Sequence, residues 1–183
     1  MKSYTFYTLL MLGSMFMFSC GTSKKMEQIP IATFVMPCSE FVSGNGVLRA
    51  WASGKSDNKT VARKKAQTAA ATELASMLER TVKATTEEYT TNLSEGEEGN
   101  SKALLNEKSM ITIEQTLRGV SIVCDRWETD KATGQYTNYL VLELRGEEYL
   151  KALYEILDKE KVTSVDKELL KELFFKHIGN TKK

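Results

Sequence analysis

The side chains able to do covalent or coordination chemistry in this chain are few: Cys20, Cys38 and Cys124, and one histidine, His177. No Cys-x-x-Cys spacing joins them, and His177 lies far from all three in sequence, so a zinc site is not expected. The acidic run Glu95-Gly96-Glu97-Glu98-Gly99-Asn100 lacks the alternating ligand ladder of an EF-hand loop and reads as a solvated loop rather than a calcium site. Glu87–Glu88 and Glu147–Glu148 are sequence neighbours, which do not face each other on a helix and so make poor acid–base pairs. The chain contains no GxSxG, P-loop, HExxH or GxGxxG motif. The expectation is a protein that is not an enzyme, with no cofactor and no bound metal. His177 fits better as a cation near a helix C-terminus, where the dipole favours it.

Cys20 stands apart because of what precedes it. Residues 1–19 place one cation, Lys2, ahead of an apolar run from Tyr4 to Phe18. That run is shorter than the ~20 residues a spanning helix needs, and its order is that of a secretory signal. Met17-Phe18-Ser19-Cys20-Gly21 resembles the bacterial lipobox, in which the cysteine thiol is acylated and becomes the new N-terminus. Met17 stands where leucine is usual, beside a bulky Phe18, as in the relaxed boxes of the Bacteroidetes group. Gly21 is not the aspartate that retains such lipoproteins in the inner membrane, which points to the outer membrane. Lys24 and Lys25 stand where surface-exported relatives carry acids, which favours its periplasmic face. Residues 20–36 have no periodicity and read as a lipidated tether, able to reach about 50 Å at ~3.3 Å per residue. In an oxidising compartment Cys38 and Cys124 are expected to form a disulfide, worth about 3–5 kcal/mol on the chain-entropy model, although two buried thiols would also fit.

The elements that position these residues follow from periodicity. Residues 60–83 form the longest helix pattern, with Ala62, Ala66, Ala69, Ala70, Leu74 and Met77 on one stripe. Glu73 and Arg80 fall at its margin. Residues 45–54 alternate, Leu48, Ala50 and Ala52 on one side and Val47, Arg49 and Trp51 on the other. Small residues on that first side match the alanine half of the helix, with Gly54 and 56–58 supplying a turn and N-caps. A short helix or extended segment is expected over 102–108. Residues 119–128 and 135–145 form a hairpin through a five-residue loop at 130–134. Leu140, Leu142 and Leu144 face the helix. Tyr139, Val141 and Glu143 face away, joined by Trp127 or Ile122 depending on register. Two amphipathic helices close the chain, over 147–159 and 165–178, the second capped by a Thr163/Asp166 box.

The strand end RAWASG (49–54), ARKKAQTAAATELASML (62–78), LRGVSIVCDRWE and YLVLEL together resemble the Lpp-twenty-type bacterial lipoprotein domain, a relative of the N-terminal domain of flagellar assembly protein T. The resemblance runs from about Cys38 to Leu150 and leaves the last helix outside. It implies an α+β fold without enzymatic activity: an Ala-rich helix on a small antiparallel sheet, in the order strand-helix-strand-strand, before the two C-terminal helices. The expected organisation is a signal peptide over 1–19, the tether over 20–36, the α+β domain over 37–160, and a helix and tail over 161–183.

Charge narrows the partners. Without Lys2 the 24 acidic residues are balanced by as many basic ones, and no basic stripe with interleaved aromatics suggests nucleic acid. The expected role is a lipid-anchored binding or scaffolding protein that meets the membrane through its lipid and a protein partner, or itself, through its folded body. The candidate interface is the outer side of the sheet: Arg49, Trp51, Tyr139 and Val141. That face is an open apolar patch, or a second core layer under a C-terminal helix. A surface-exposed adhesin or antigen is the first alternative. The other is a small-ligand carrier with a cavity between helix and sheet, lined by Leu74 and Leu142.

Overall fold

The computed structural model describes residues 35–92 and 98–179. The leader, Cys20, the tether up to residue 34, Glu95–Glu97 of the acidic run and the lysines at the C-terminal end lie outside the described residues. The compact unit starts at Val35. Its elements are β1 (Val47–Ser56), α1 (Lys59–Thr91), α2 (Glu98–Leu117), β2 (Ser121–Thr129), β3 (Tyr136–Arg145), α3 (Gly146–Lys159) and α4 (Lys167–Gly179). The three strands form an antiparallel sheet in the order β1-β3-β2, so the fold is α+β as expected. Residues 102–108 are not a separate short segment. They lie inside the 20-residue α2, which also takes in Ile111, Ile113 and Leu117.

Helix α1 crosses the sheet where side chains are smallest. Leu48, Ala50 and Ala52 of β1 and Leu140, Leu142 and Leu144 of β3 are buried beneath it. Gly54 belongs to the strand rather than to the turn, and its role is proximity. A Cβ there would lie 2.2 Å from the carbonyl oxygen of Ala62 and 2.5 Å from the nitrogen of Ala66. Asn58 caps the helix, its side chain accepting from the backbone N–H groups of Thr60 at 2.9 Å and Val61 at 3.2 Å. Helix α1 covers β1 and β3 and leaves β2 largely uncovered.

The buried stripe of α1 runs Ala62, Ala66, Ala70, Leu74, Leu78 and Val82, a strict four-residue step, and Ala69 is exposed. Four residues turn a helix slightly more than once, so such a stripe winds around the axis. The first half therefore faces the sheet, and the second half faces α2 and α4. That second half is built on Thr81, Thr85, Thr86 and Thr90, all buried. Thr81, Thr85 and Thr90 donate their hydroxyls to carbonyls four residues back, at 2.8–2.9 Å, which removes the cost of burying them. Thr112 of α2 does the same to Lys108 at 2.7 Å. Glu73 and Arg80 stay at the surface and pair with each other at 3.3 Å.

Helix α4 is part of the same body. Leu170, Leu173, Phe174 and Ile178 join the core that holds Leu74 and Leu142, so 160/161 is not a boundary between packed units. Helix α4 starts at Lys167, and Asp166 is itself the cap, accepting from the N–H groups of Glu168 and Leu169 at 3.0 and 3.1 Å. Thr163 takes no part in that cap. The end of α4 docks against glycines: a Cβ on Gly46 would meet Phe175 at 2.8 Å, and one on Gly146 would meet Ile178 at 2.7 Å.

Candidate functional site

The outer face of the sheet brings Arg49, Trp51, Tyr139 and Val141 together, but it is neither open nor covered by a C-terminal helix. Its cover is the chain's own entry segment, residues 35–43. Asn45 and Gly46 fold that segment back along β1 through a tight turn with positive φ at both positions, 52° and 77°, the signature of a type I′ hairpin. Gly44 and Val47 close it with paired backbone hydrogen bonds at 2.9 and 3.1 Å.

Four attachments then hold this strap. Cys38 is bonded to Cys124 of β2, with Cα atoms 5.9 Å apart and a sequence separation of 86. The Trp51 indole N–H donates to the carbonyl oxygen of Pro37 at 2.9 Å. Ser43 Oγ accepts from the Arg49 N–H at 2.8 Å and lies 3.1 Å from the Arg49 carbonyl oxygen, to which it donates. Arg49 itself donates from Nη1 to the Val42 carbonyl at 2.9 Å and from Nε to Glu143 Oε2 at 2.7 Å. Because Arg49 and Trp51 are two residues apart on one strand, they grip the two ends of the strap on one side of the sheet.

Beneath the strap lies a second, small core of Cys38, Cys124 and Val141, with Phe41, Trp51, Val123 and Tyr139 packed around it. Val141 is wholly buried. Trp51 and Tyr139 have ring centroids 6.2 Å apart. The Tyr139 phenol donates to Glu128 Oε2 at 2.8 Å, and burial together with that carboxylate pushes its pKa up. Neither Trp127 nor Ile122 shares this face. The register pairs Trp127 with Asn138 and Ile122 with Leu142, which places both on the helix side, while Cys124, Arg126 and Glu128 fall on the strap side. A bulge between Ile122 and Cys124 makes that switch.

The sequence reading placed Glu143 on this face without its role as partner to Arg49, and it missed Pro37, Phe41 and Ser43 as parts of the site. The Asn45-Gly46 dipeptide was the available signal, since it predicts a hairpin that returns residues 37–43 along β1. His177 is not merely a dipole partner: its Nε2 lies 2.8 Å from Glu88 Oε2, and Lys176 binds the other carboxylate oxygen. Among the described residues no group of three or more His, Cys, Asp or Glu side chains could hold a metal ion, and no helix is long and apolar enough to cross a membrane. Leu74 and Leu142 are closed into the core. Two grooves lie elsewhere: about 340 Å³ between α1 and α2, where charges of both signs alternate with Val82, Met110 and Ile113, and about 520 Å³ between α3 and α4, lined mostly by charges of both signs. No protein-family model, curated sequence or solved structure matches the chain.

Proposed function

We propose that this chain is a lipid-anchored envelope protein with a non-enzymatic binding or scaffolding role, acylated at Cys20 and held at the periplasmic face of the outer membrane. The observation that carries the reading is the Cys38–Cys124 disulfide, because such bonds persist in oxidising compartments and are rare where thiols are kept reduced. It agrees with the signal and lipobox-like residues around Cys20. The strap fixes where the chain enters the body, with Pro37 held by Trp51 and Cys38 bonded to Cys124. Several acyl chains at Cys20 would make attachment near-permanent, at ~0.8 kcal/mol for each buried methylene. The polar groups of the outer face, Arg49, Trp51, Tyr139 and Glu143, are engaged in holding the strap and each other, which supports a structural rather than a catalytic use of that face. The resemblance to Lpp-twenty-type lipoprotein domains is in keeping with this reading.

Metabolic palmitate labelling of the wild type and of Cys20→Ala tests it. Label on the wild type that disappears in the variant, with a mature N-terminal peptide carrying fatty acid, supports the proposal. A mature N-terminus without fatty acid overturns it. Protease treatment of intact cells assigns the leaflet, since digestion of the body would place it on the outside.

A further inference from the structure

We infer that β2 is a self-association edge, and that two copies of this chain join through it antiparallel, about a two-fold axis at Trp127, into a continuous six-stranded sheet. Among the described residues, strand β2 ends the sheet and pairs only with β3. Its stretch from Asp125 to Thr129 is exposed at every residue, while α1 lies over β1 and β3. Trp127, a large aromatic side chain, is 39% exposed on the helix side of this overhang. From Cys124 to Thr129 the pairing with β3 runs without a bulge, so the outer edge is regular over the same stretch.

The occupant is set by charge order. When a strand meets its own copy antiparallel in one sheet, residues opposite each other share a face, so only alternate registers are available. Centred on Trp127, Trp127 meets Trp127 of the second copy on the helix side. On the strap side Arg126 meets Glu128, and Glu128 meets Arg126. Asp125 then faces Thr129. The neighbouring allowed registers put Arg126 opposite Arg126, Asp125 opposite Asp125, or Glu128 opposite Glu128, and like charges directly opposite are destabilising. The charges that deter an arbitrary strand thus become complementary in one register of this strand with itself. The existing partners leave room for the exchange. Among the described residues, the Arg126 side chain has only a loose, exposed contact with Glu40 at 3.7 Å, and the Glu128 carboxylate accepts a single hydrogen bond, from Tyr139. Such an interface is isologous, the commonest closed arrangement of identical chains.

This pairing does not depend on whether Cys20 is acylated, and charge exchange in the full-length chain in detergent micelles tests it by sedimentation equilibrium. The wild type is expected to dimerise reversibly. Arg126→Glu and Glu128→Arg should each weaken dimerisation by about tenfold or more, since each places two like-charge pairs across the axis. An equimolar mixture of the two variants should recover it, as should the double variant R126E/E128R, which also shows that the substituted chains fold. A wild type that stays monomeric at ~0.1 mM, a weak-association bound, overturns the inference. So do single variants that dimerise like the wild type, or a mixture that fails to recover association.

Discussion

Gly54 and Ala62 are in backbone contact: a single methyl group on Gly54 would stand 2.2 Å from the Ala62 carbonyl oxygen. The methyl carbon would be set by the Gly54 backbone, fixed in the β1–β3 ladder, and the oxygen belongs to backbone fixed by the first turns of α1. No side-chain rotation can relieve the clash. Gly54→Ala should therefore destabilise the domain by about 3 kcal/mol, the upper range for overpacking a closed site. Gly134→Ala is the control. It adds a methyl group into open space at φ 72° and should cost only about 1 kcal/mol of backbone strain. Urea unfolding of the two variants checks the difference, and equal losses would refute the contact.

The Cys38–Cys124 bond closes a loop of 86 residues, which places its entropic contribution at about 4–5 kcal/mol on the chain-entropy model. Reduction should also have a local signature. Once the strap lifts, Trp51 loses Pro37 as an acceptor and its ring meets water, so its emission should move to longer wavelength. Trp127→Phe removes the other tryptophan and isolates the signal. An unchanged Trp51 spectrum in the reduced, folded protein would mean that the remaining contacts hold the strap alone.

How much of this could be read from the chain depended on whether one residue's pattern matched one neighbour. The alternation of Leu48, Ala50 and Ala52 and the run Leu140, Leu142, Leu144 each bury against one partner, and both appear as expected. The Thr81–Thr90 half of α1 did not show itself, because threonine counts as polar by type and its burial depends on a hydroxyl bond to the preceding turn. Ala69 was placed on the stripe because a broad face was assumed, where a four-residue step winds between two partners. The outer face was legible as Arg49, Trp51, Tyr139 and Val141. Its cover was not, because residues 35–43 have no periodicity of their own and are held by side chains from elsewhere.

Glu143 is nearly buried, and its carboxylate is met by Arg49 from Nε and Nη2, both at 2.7 Å, with Arg145 further out at 3.6 Å. Arg49→Met leaves that carboxylate without its close partner and releases Val42 as well. The expected loss is about 2 kcal/mol, below the full value for a buried pair because the Arg49 side chain keeps some contact with water. Pairing the change with Glu143→Gln should restore part of the loss, since the stranded charge is then gone. Thermal unfolding of the single and double variants measures that coupling, and strictly additive losses would argue that Arg49 acts through Val42 alone.

Glu88 ties the end of α1 to α4 through Lys176 and His177, and this clamp has a defined pH dependence. The Lys176 hydrogen bond, followed by that of His177, holds the Glu88 carboxyl below its ordinary value of 4.5, although partial burial works the other way. A carboxyl lowered in the folded state contributes fully at pH above its unfolded value and loses that contribution as pH falls through the folded one. The clamp should therefore be intact at neutral pH and weaken below about pH 4.5, with α4 the first element to loosen. Glu88→Gln removes the titrating group. Its unfolding temperature should be lower than that of the wild type at pH 7, with the gap closing toward pH 3 as the wild-type carboxyl protonates. Hydrogen exchange at Leu170 and Leu173 locates the effect on α4. A gap that persists unchanged into acid would show that Glu88 contributes through packing rather than charge.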